Sequence, residues 1–149
     1  MSKNNIEILE SFLTADTSVL KNVYRFYAIA LAETNQMPKA IEYTNKALVL
    51  AKQSNDTKSE MWAYSEIARF YLQDKKTQEA LQYADKSEKM AEGIDDKDQL
   101  QQLYYLKYKI FDTQHDYKNA LYYHIKSEAI KDILEKRYNS QEIEKKTMI

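Results

Sequence analysis

The chain has 149 residues, 30% of them charged and 44% hydrophobic, with 22 Lys plus Arg against 23 Asp plus Glu and a net charge of −1. That length suits one packed domain of a soluble globular protein, and the charge lacks the basic excess from which a dedicated nucleic-acid binder draws its affinity. One Gly, one Pro and no Cys nearly exclude tight β-turns, Gly-rich phosphate loops, disulfides and thiolate metal sites.

The first residues, MSKNNIEILESF, lack the apolar core of a signal peptide, and no run approaches the roughly 20 apolar residues of a membrane span. The expected address is the cytoplasm. Residues 5–14 carry Ile6, Leu9, Phe12 and Leu13 at a spacing that predicts a short helix capping the next helical segment. Apolar residues at helical spacing then predict helices at 17–34, 37–53, 57–74, 77–92, 97–114 and 117–146. Tyr24, Tyr27, Ala28 and Leu31 mark the first of these, and Tyr64, Ile67, Ala68 and Tyr71 the third. Thr57 to Glu60 and Asp96 to Gln99 have the spacing of a capping box. Pro38 suits a first helical turn, and Gly93 stands where the fourth of these helices should stop. The last helix carries an apolar stripe through Ile130, Ile133, Leu134 and Tyr138, which fades into Gln141–Lys146.

The segments repeat. Asp16, Asp56 and Asp96 are spaced by 40 residues, as are Tyr24, Tyr64 and Tyr104; Ala40, Ala80 and Ala120; Tyr43, Tyr83 and Tyr123; and Lys46, Lys86 and Lys126. Chance would give on the order of 0.2 such columns at ordinary residue frequencies. A period of this kind means one supersecondary unit, here a helical hairpin, stacked on copies of itself. The units fall at 17–53, 57–92 and 97–132, followed by an extension at 133–149 in a single domain.

The second-helix patterns Ala40-Ile41-Glu42-Tyr43 with Ala47-Leu48, Ala80-Leu81-Gln82-Tyr83, and Asp116-Tyr117-Lys118-Asn119-Ala120-Leu121-Tyr122-Tyr123 resemble the tetratricopeptide repeat (TPR) family. So do the small residues Ala28 and Ala68 of the first helices, whose place Tyr108 takes in the third copy, where looser or shifted packing is expected. The resemblance implies an all-α fold: a right-handed superhelical α-solenoid of about three TPR hairpins, with a partial N-terminal helix and a long C-terminal one. It implies a non-enzymatic scaffold that holds a protein or peptide in its concave groove. The family's contact positions fall here on Asn22, Arg25 and Ile29; on Trp62, Ser65 and Arg69; and on Gln102, Tyr105 and Lys109. One cation per repeat with two large aromatics suits a peptide bearing acidic and apolar residues. The carboxylate clamp of chaperone-binding members is not expected, because its places hold Arg25, Ile29, Glu66, Gln102 and Leu106, of which only Arg25 keeps the required character. The segment Tyr117 to Glu144 also resembles the last repeat of bacterial sensors in which TPRs lead through a long helix to a kinase or helix-turn-helix output. The alternative this implies is the sensor part of a signalling regulator, a group that includes peptide-pheromone receptors, with the C-terminal helix forming a homodimer or relaying the signal.

Other chemistries fare worse on the residues. His115 and His124 are the only histidines, and neither has the convergent partners of a triad or a closed metal site. No cofactor, catalytic residue, metal ligand, direct nucleic-acid contact or membrane contact is expected. Thirteen tyrosines could stack bases, but most recur at repeat positions facing the interhelical core.

Overall fold

A computed structural model describes Lys3–Leu13 and Asp16–Met148. Among these residues the chain forms seven helices: α1 (Lys3–Leu13), α2 (Thr17–Glu33), α3 (Met37–Gln53), α4 (Thr57–Gln73), α5 (Thr77–Gly93), α6 (Lys97–Thr113) and α7 (Tyr117–Thr147). None is long and apolar enough to cross a membrane. Helices α2 to α6 are each 17 residues long, so with three-residue turns a new helix begins every twenty residues.

One turn geometry produces that regularity. Asn35, Asn55, Lys75, Asp95 and His115 all adopt positive φ, from 51 to 62°. In every case the next amide donates back to the carbonyl five residues earlier, as Gln36 N does to Leu31 O at 2.9 Å and Asp116 N to Phe111 O at 2.9 Å. This satisfies carbonyls that a helix end otherwise orphans. The residue making that bond immediately serves as the N-cap of the following helix. Asp16, Asp56, Asp96 and Asp116 each accept from the amide three residues on, at 3.1 to 3.3 Å. One sequence expectation therefore needs correction. Thr57 is the first residue of α4 and Asp56 is its cap, so Thr57–Glu60 is not a capping box. The fourth of the repeat helices does stop at Gly93, its last helical residue, and the left-handed position after it belongs to Asp95.

The chain divides into two compact units, Met1–Tyr83 and Ala84–Ile149, with the boundary inside α5. In the first, α2 packs on α3 and α3 on α4. Ala28 and Ala40 are fully buried, and small side chains at these points let the helices approach closely. Tyr24 and Tyr27 pack their rings against Tyr43 at 5.9 and 4.6 Å, in the tilted and edge-on arrangements that ring quadrupoles favour. Tyr64 and Tyr71 meet Tyr83 in the same way, at 6.2 and 5.7 Å. Of the expected N-terminal cap, Ile6 joins this core, Leu9 is half-buried and Phe12 is exposed. The side chain of Leu13 lies outside the described residues.

In the second unit α6 packs on α7, with Tyr104 and Phe111 against Tyr123 at 5.9 and 5.6 Å. The repeated columns thus explain themselves as structure: an N-cap, a small contact residue and a tyrosine pair. A repeat lysine tops the first and the third of these groups: Lys46 over Tyr43 at 4.7 Å and Lys126 over Tyr104 at 4.5 Å. Where the third copy has Tyr108 in place of alanine, its ring lies 4.8 Å from that of His124, which accounts for this histidine by packing.

Candidate functional site

In the first unit, α2 and α4 bring Arg25, Trp62, Glu66 and Arg69 together. Trp62 and Arg69 lie seven residues apart on α4 with Glu66 between them, so all three share one stripe. The Arg25 guanidinium lies over the Trp62 ring, 4.0 Å from its centroid, a contact in which the ring face attracts the cation. Arg69 Nη1 donates to Glu66 Oε1 at 2.6 Å. Burial pushes the Glu66 carboxyl above its ordinary value, while the positive charges of Arg69 and Arg25 pull the other way. The cluster carries two cations against one buried acid. A guanidinium stacked on an aromatic ring still presents its terminal N–H groups edge-on.

Around this cluster Asn22 is exposed and Ile29 half-buried. Ser65 departs from the expectation. It is 1% exposed, because α4 is an interior helix buried at Met61, Ala63 to Ala68 and Phe70, whereas α2 keeps the matching Arg25 half open. As folded, Ser65 cannot touch a guest.

The second unit carries the remaining predicted residues on α6. Gln102, Tyr105 and Lys109 are all exposed. Lys109 Nζ lies 5.6 Å from the Tyr105 centroid, and Tyr105 is 5.8 Å from Tyr108, giving an aromatic step with a cation on it. Between the start of α6 and the extension of α7 is an open groove of about 710 Å³, lined by Asp98, Gln101, Lys131, Leu134, Arg137 and Tyr138. Among the described residues no group of three or more His, Asp or Glu side chains gathers as a metal site would need.

Sequence reasoning missed one charged constellation. Lys107 is 4% exposed and donates to Asp85 Oδ1 at 2.6 Å, to Glu88 Oε2 at 2.5 Å and to the Tyr123 hydroxyl at 3.0 Å. Burial opposes its charge, but those three hydrogen bonds outweigh burial and raise its pKa. A signal was present: in the 40-residue alignment Lys107 falls in a column whose other members are Tyr27 and Ile67, and Glu88 in the column of Leu48.

No family model matches the chain. Over 96 residues it is 31% identical to outer dynein arm-docking complex subunit 4 of Xenopus laevis, a match covering 63% of this chain and 17% of that protein. Among solved structures it is similar to aspartyl phosphate phosphatase F from Bacillus subtilis, with a TM-score of 0.73 and 19% identity over 77% of this chain and 30% of that one. It is likewise similar to BtubC (BKLC) from P. vanneervenii, with a TM-score of 0.71 and 18% identity over 78% of this chain and 48% of that one. The chain thus spans less than half the length of each of these proteins. The two structural neighbours, with the helical hairpins of this chain, fit an all-α helical repeat of tetratricopeptide-like type.

Proposed function

We propose that this chain is a non-enzymatic scaffold that binds a protein or peptide bearing acidic and apolar residues. Arg25, Trp62 and Arg69 form the strongest contact point, and Tyr105, Lys109 and Gln102 supply further contacts. The observation that carries this reading is the Arg25 guanidinium held on the Trp62 ring at 4.0 Å. A pinned guanidinium binds a carboxylate with less entropy lost than a mobile one, and Trp and Arg are the side chains that most often dominate interfaces. The partner is not nucleic acid or membrane, and the setting is cytoplasmic.

Trp62 is the only tryptophan, so its fluorescence reports on the site directly. Peptides combining Asp or Glu with Leu or Phe should shift its emission. Trp62→Ala with Arg69→Ala should weaken binding of the same peptides, measured by isothermal titration calorimetry, by about thirtyfold, the scale of a hot-spot loss near 2 kcal/mol. A doubly substituted chain that binds the same peptides unchanged would refute the reading.

A second reading has one observation in its favour: α7 continues as helix to Thr147, well beyond the 17 residues of the other repeat helices. Such an extension suits the sensor part of a bacterial signalling regulator that passes a signal along α7 or pairs through it. Deleting residues 133–149 should then turn a dimer into a monomer, and an oligomeric state in light scattering that the deletion leaves unchanged would refute it.

A further inference from the structure

Of the four side chains that meet between α2 and α4, Arg25, Trp62 and Arg69 are half-buried, and Glu66 is buried at 7% exposure. In the 40-residue alignment the column of Glu66 otherwise holds Phe26 and Leu106. Repeat packing therefore does not call for a carboxylate here, and burying one is costly unless it is paired. Its partner is Arg69, whose Nη1 donates to Glu66 Oε1 at 2.6 Å. The two ends of that bond differ in access, the Arg69 side chain being 40% exposed and the Glu66 side chain 10%. An anion arriving from solvent meets Arg69 and not the acid behind it.

Glu66 has a second cation within range. Against the push of burial, the charges of Arg69 and of Arg25 both favour its ionised form. Arg25 is itself incompletely satisfied. Its guanidinium is held over the Trp62 ring, but its Nε–H is buried and has no acceptor among the described residues. A buried donor without an acceptor is rare and unfavourable. One carboxylate stands where two guanidiniums could each use one.

We propose that Glu66 is the specificity-determining residue of this site: it stands in for a guest carboxylate on Arg69, and it passes to the Arg25 Nε–H when that guest arrives. For its guest, an acidic side chain of a protein or peptide, the inference rests on the peptide-binding reading. The exchange replaces one guanidinium–carboxylate bond with two, so each guanidinium ends with an anion and the buried donor gains its acceptor. The same exchange sets selectivity. With Glu66 ionised the cluster has room for one further negative charge, and a second carboxylate on the guest meets a carboxylate already in place. A lone Asp or Glu among apolar residues is thus preferred to an acidic pair.

The chain has three arginines, Arg25, Arg69 and Arg137, so their Nε–H signals in a proton–nitrogen correlation spectrum can be assigned from single arginine-to-lysine substitutions. Sodium acetate serves as the guest, with sodium chloride at equal ionic strength as the reference. In the unaltered chain acetate should shift the Arg25 and Arg69 signals together, the Arg25 proton moving downfield as it meets Glu66. Glu66→Gln keeps the shape and loses the charge, and circular dichroism checks its folding. It should bind acetate about tenfold more tightly, the scale of one like charge removed a few ångströms away in a partly solvated site. Its affinity for succinate relative to acetate should also rise. An Arg25 signal that stays put while acetate binds the unaltered chain overturns the proposal, and that measurement needs no variant. So does a Glu66→Gln chain that binds acetate no more tightly, or acetate that leaves both arginines unmoved. Peptide binding is judged separately. If peptides fail while acetate moves both signals, the peptide-binding reading falls and the exchange stands; if peptides bind while the Arg25 signal stays put, the exchange alone falls.

Discussion

The contact between α3 and α4 and the contact between α5 and α6 occupy the same place in successive repeats, yet they are built from opposite materials. In the first unit the relevant columns hold Leu48 and Ile67, both buried. Forty residues on, in the second unit, the same columns hold Glu88 and Lys107, joined at 2.5 Å and supported by Asp85 and Tyr123. The backbone does not distinguish the two, since helix length and turn geometry are the same. A buried contact in this fold therefore needs either apolar side chains or a charge whose every donor is met. The apolar solution tolerates imperfect geometry, and the ionic one does not.

Breaking either contact from one side should have the largest effect. Lys107→Ala removes the buried ammonium, leaves the part-buried Glu88 without it and should cost about 3 kcal/mol, measured by urea unfolding. In the first unit, Ile67→Ala removes only apolar volume and should cost about 2–5 kcal/mol, depending on how far the site collapses. The comparison is sharpest in the double exchange Glu88→Leu with Lys107→Ile, which copies the first unit into the second. It should recover most of the loss and come out near neutral or stabilising. If the double variant is as unstable as Lys107→Ala, the two contacts are not interchangeable.

A smaller effect belongs to Asp56, which caps α4 and accepts from Lys21 at 2.5 Å. The hydrogen bond from Lys21, then those from Ser59, hold its carboxyl down at about 2 against an ordinary 3.8. Its folded-state value is depressed, so its contribution is complete above 3.8 and is lost as pH falls toward about 2. Asp56→Ala should cost about 1 kcal/mol at neutral pH, and the difference from the unaltered chain should shrink in acid titrations monitored by circular dichroism. A gap that stays constant down to the lower value would contradict the assignment. The smallest effect is a gain. Gly93 has helical geometry with nothing within 4 Å of an added Cβ, so Gly93→Ala should raise stability by about 0.5–1 kcal/mol.

Helices and turns were legible in the sequence almost to the residue, because period, caps and apolar spacing are local signals that agreed with one another. The tyrosine columns were legible for the same reason. Ser65 was not, because burial on an interior helix depends on neighbours on two sides, and a register carried over from the edge helix α2 ignores one of them. The left-handed turn residues were not legible, because this chain assigns that conformation to Asn, Lys, Asp and His instead of glycine. The Lys107 network required noticing that a column had changed its chemistry, which a search for sameness passes over.

Because one hinge serves every junction, the turns cannot tell a helix which neighbour is its own. A chain emerging with three similar hairpins faces a choice of pairings, and its side chains must settle it. Were α6 to settle on α3 in place of α5, Lys107 would enter the interior opposite Leu48, with no carboxylate there to receive it. A lone buried ammonium of that kind is heavily penalised. The lysine therefore works as an address, admitting α6 to one seat and turning it away from its look-alike.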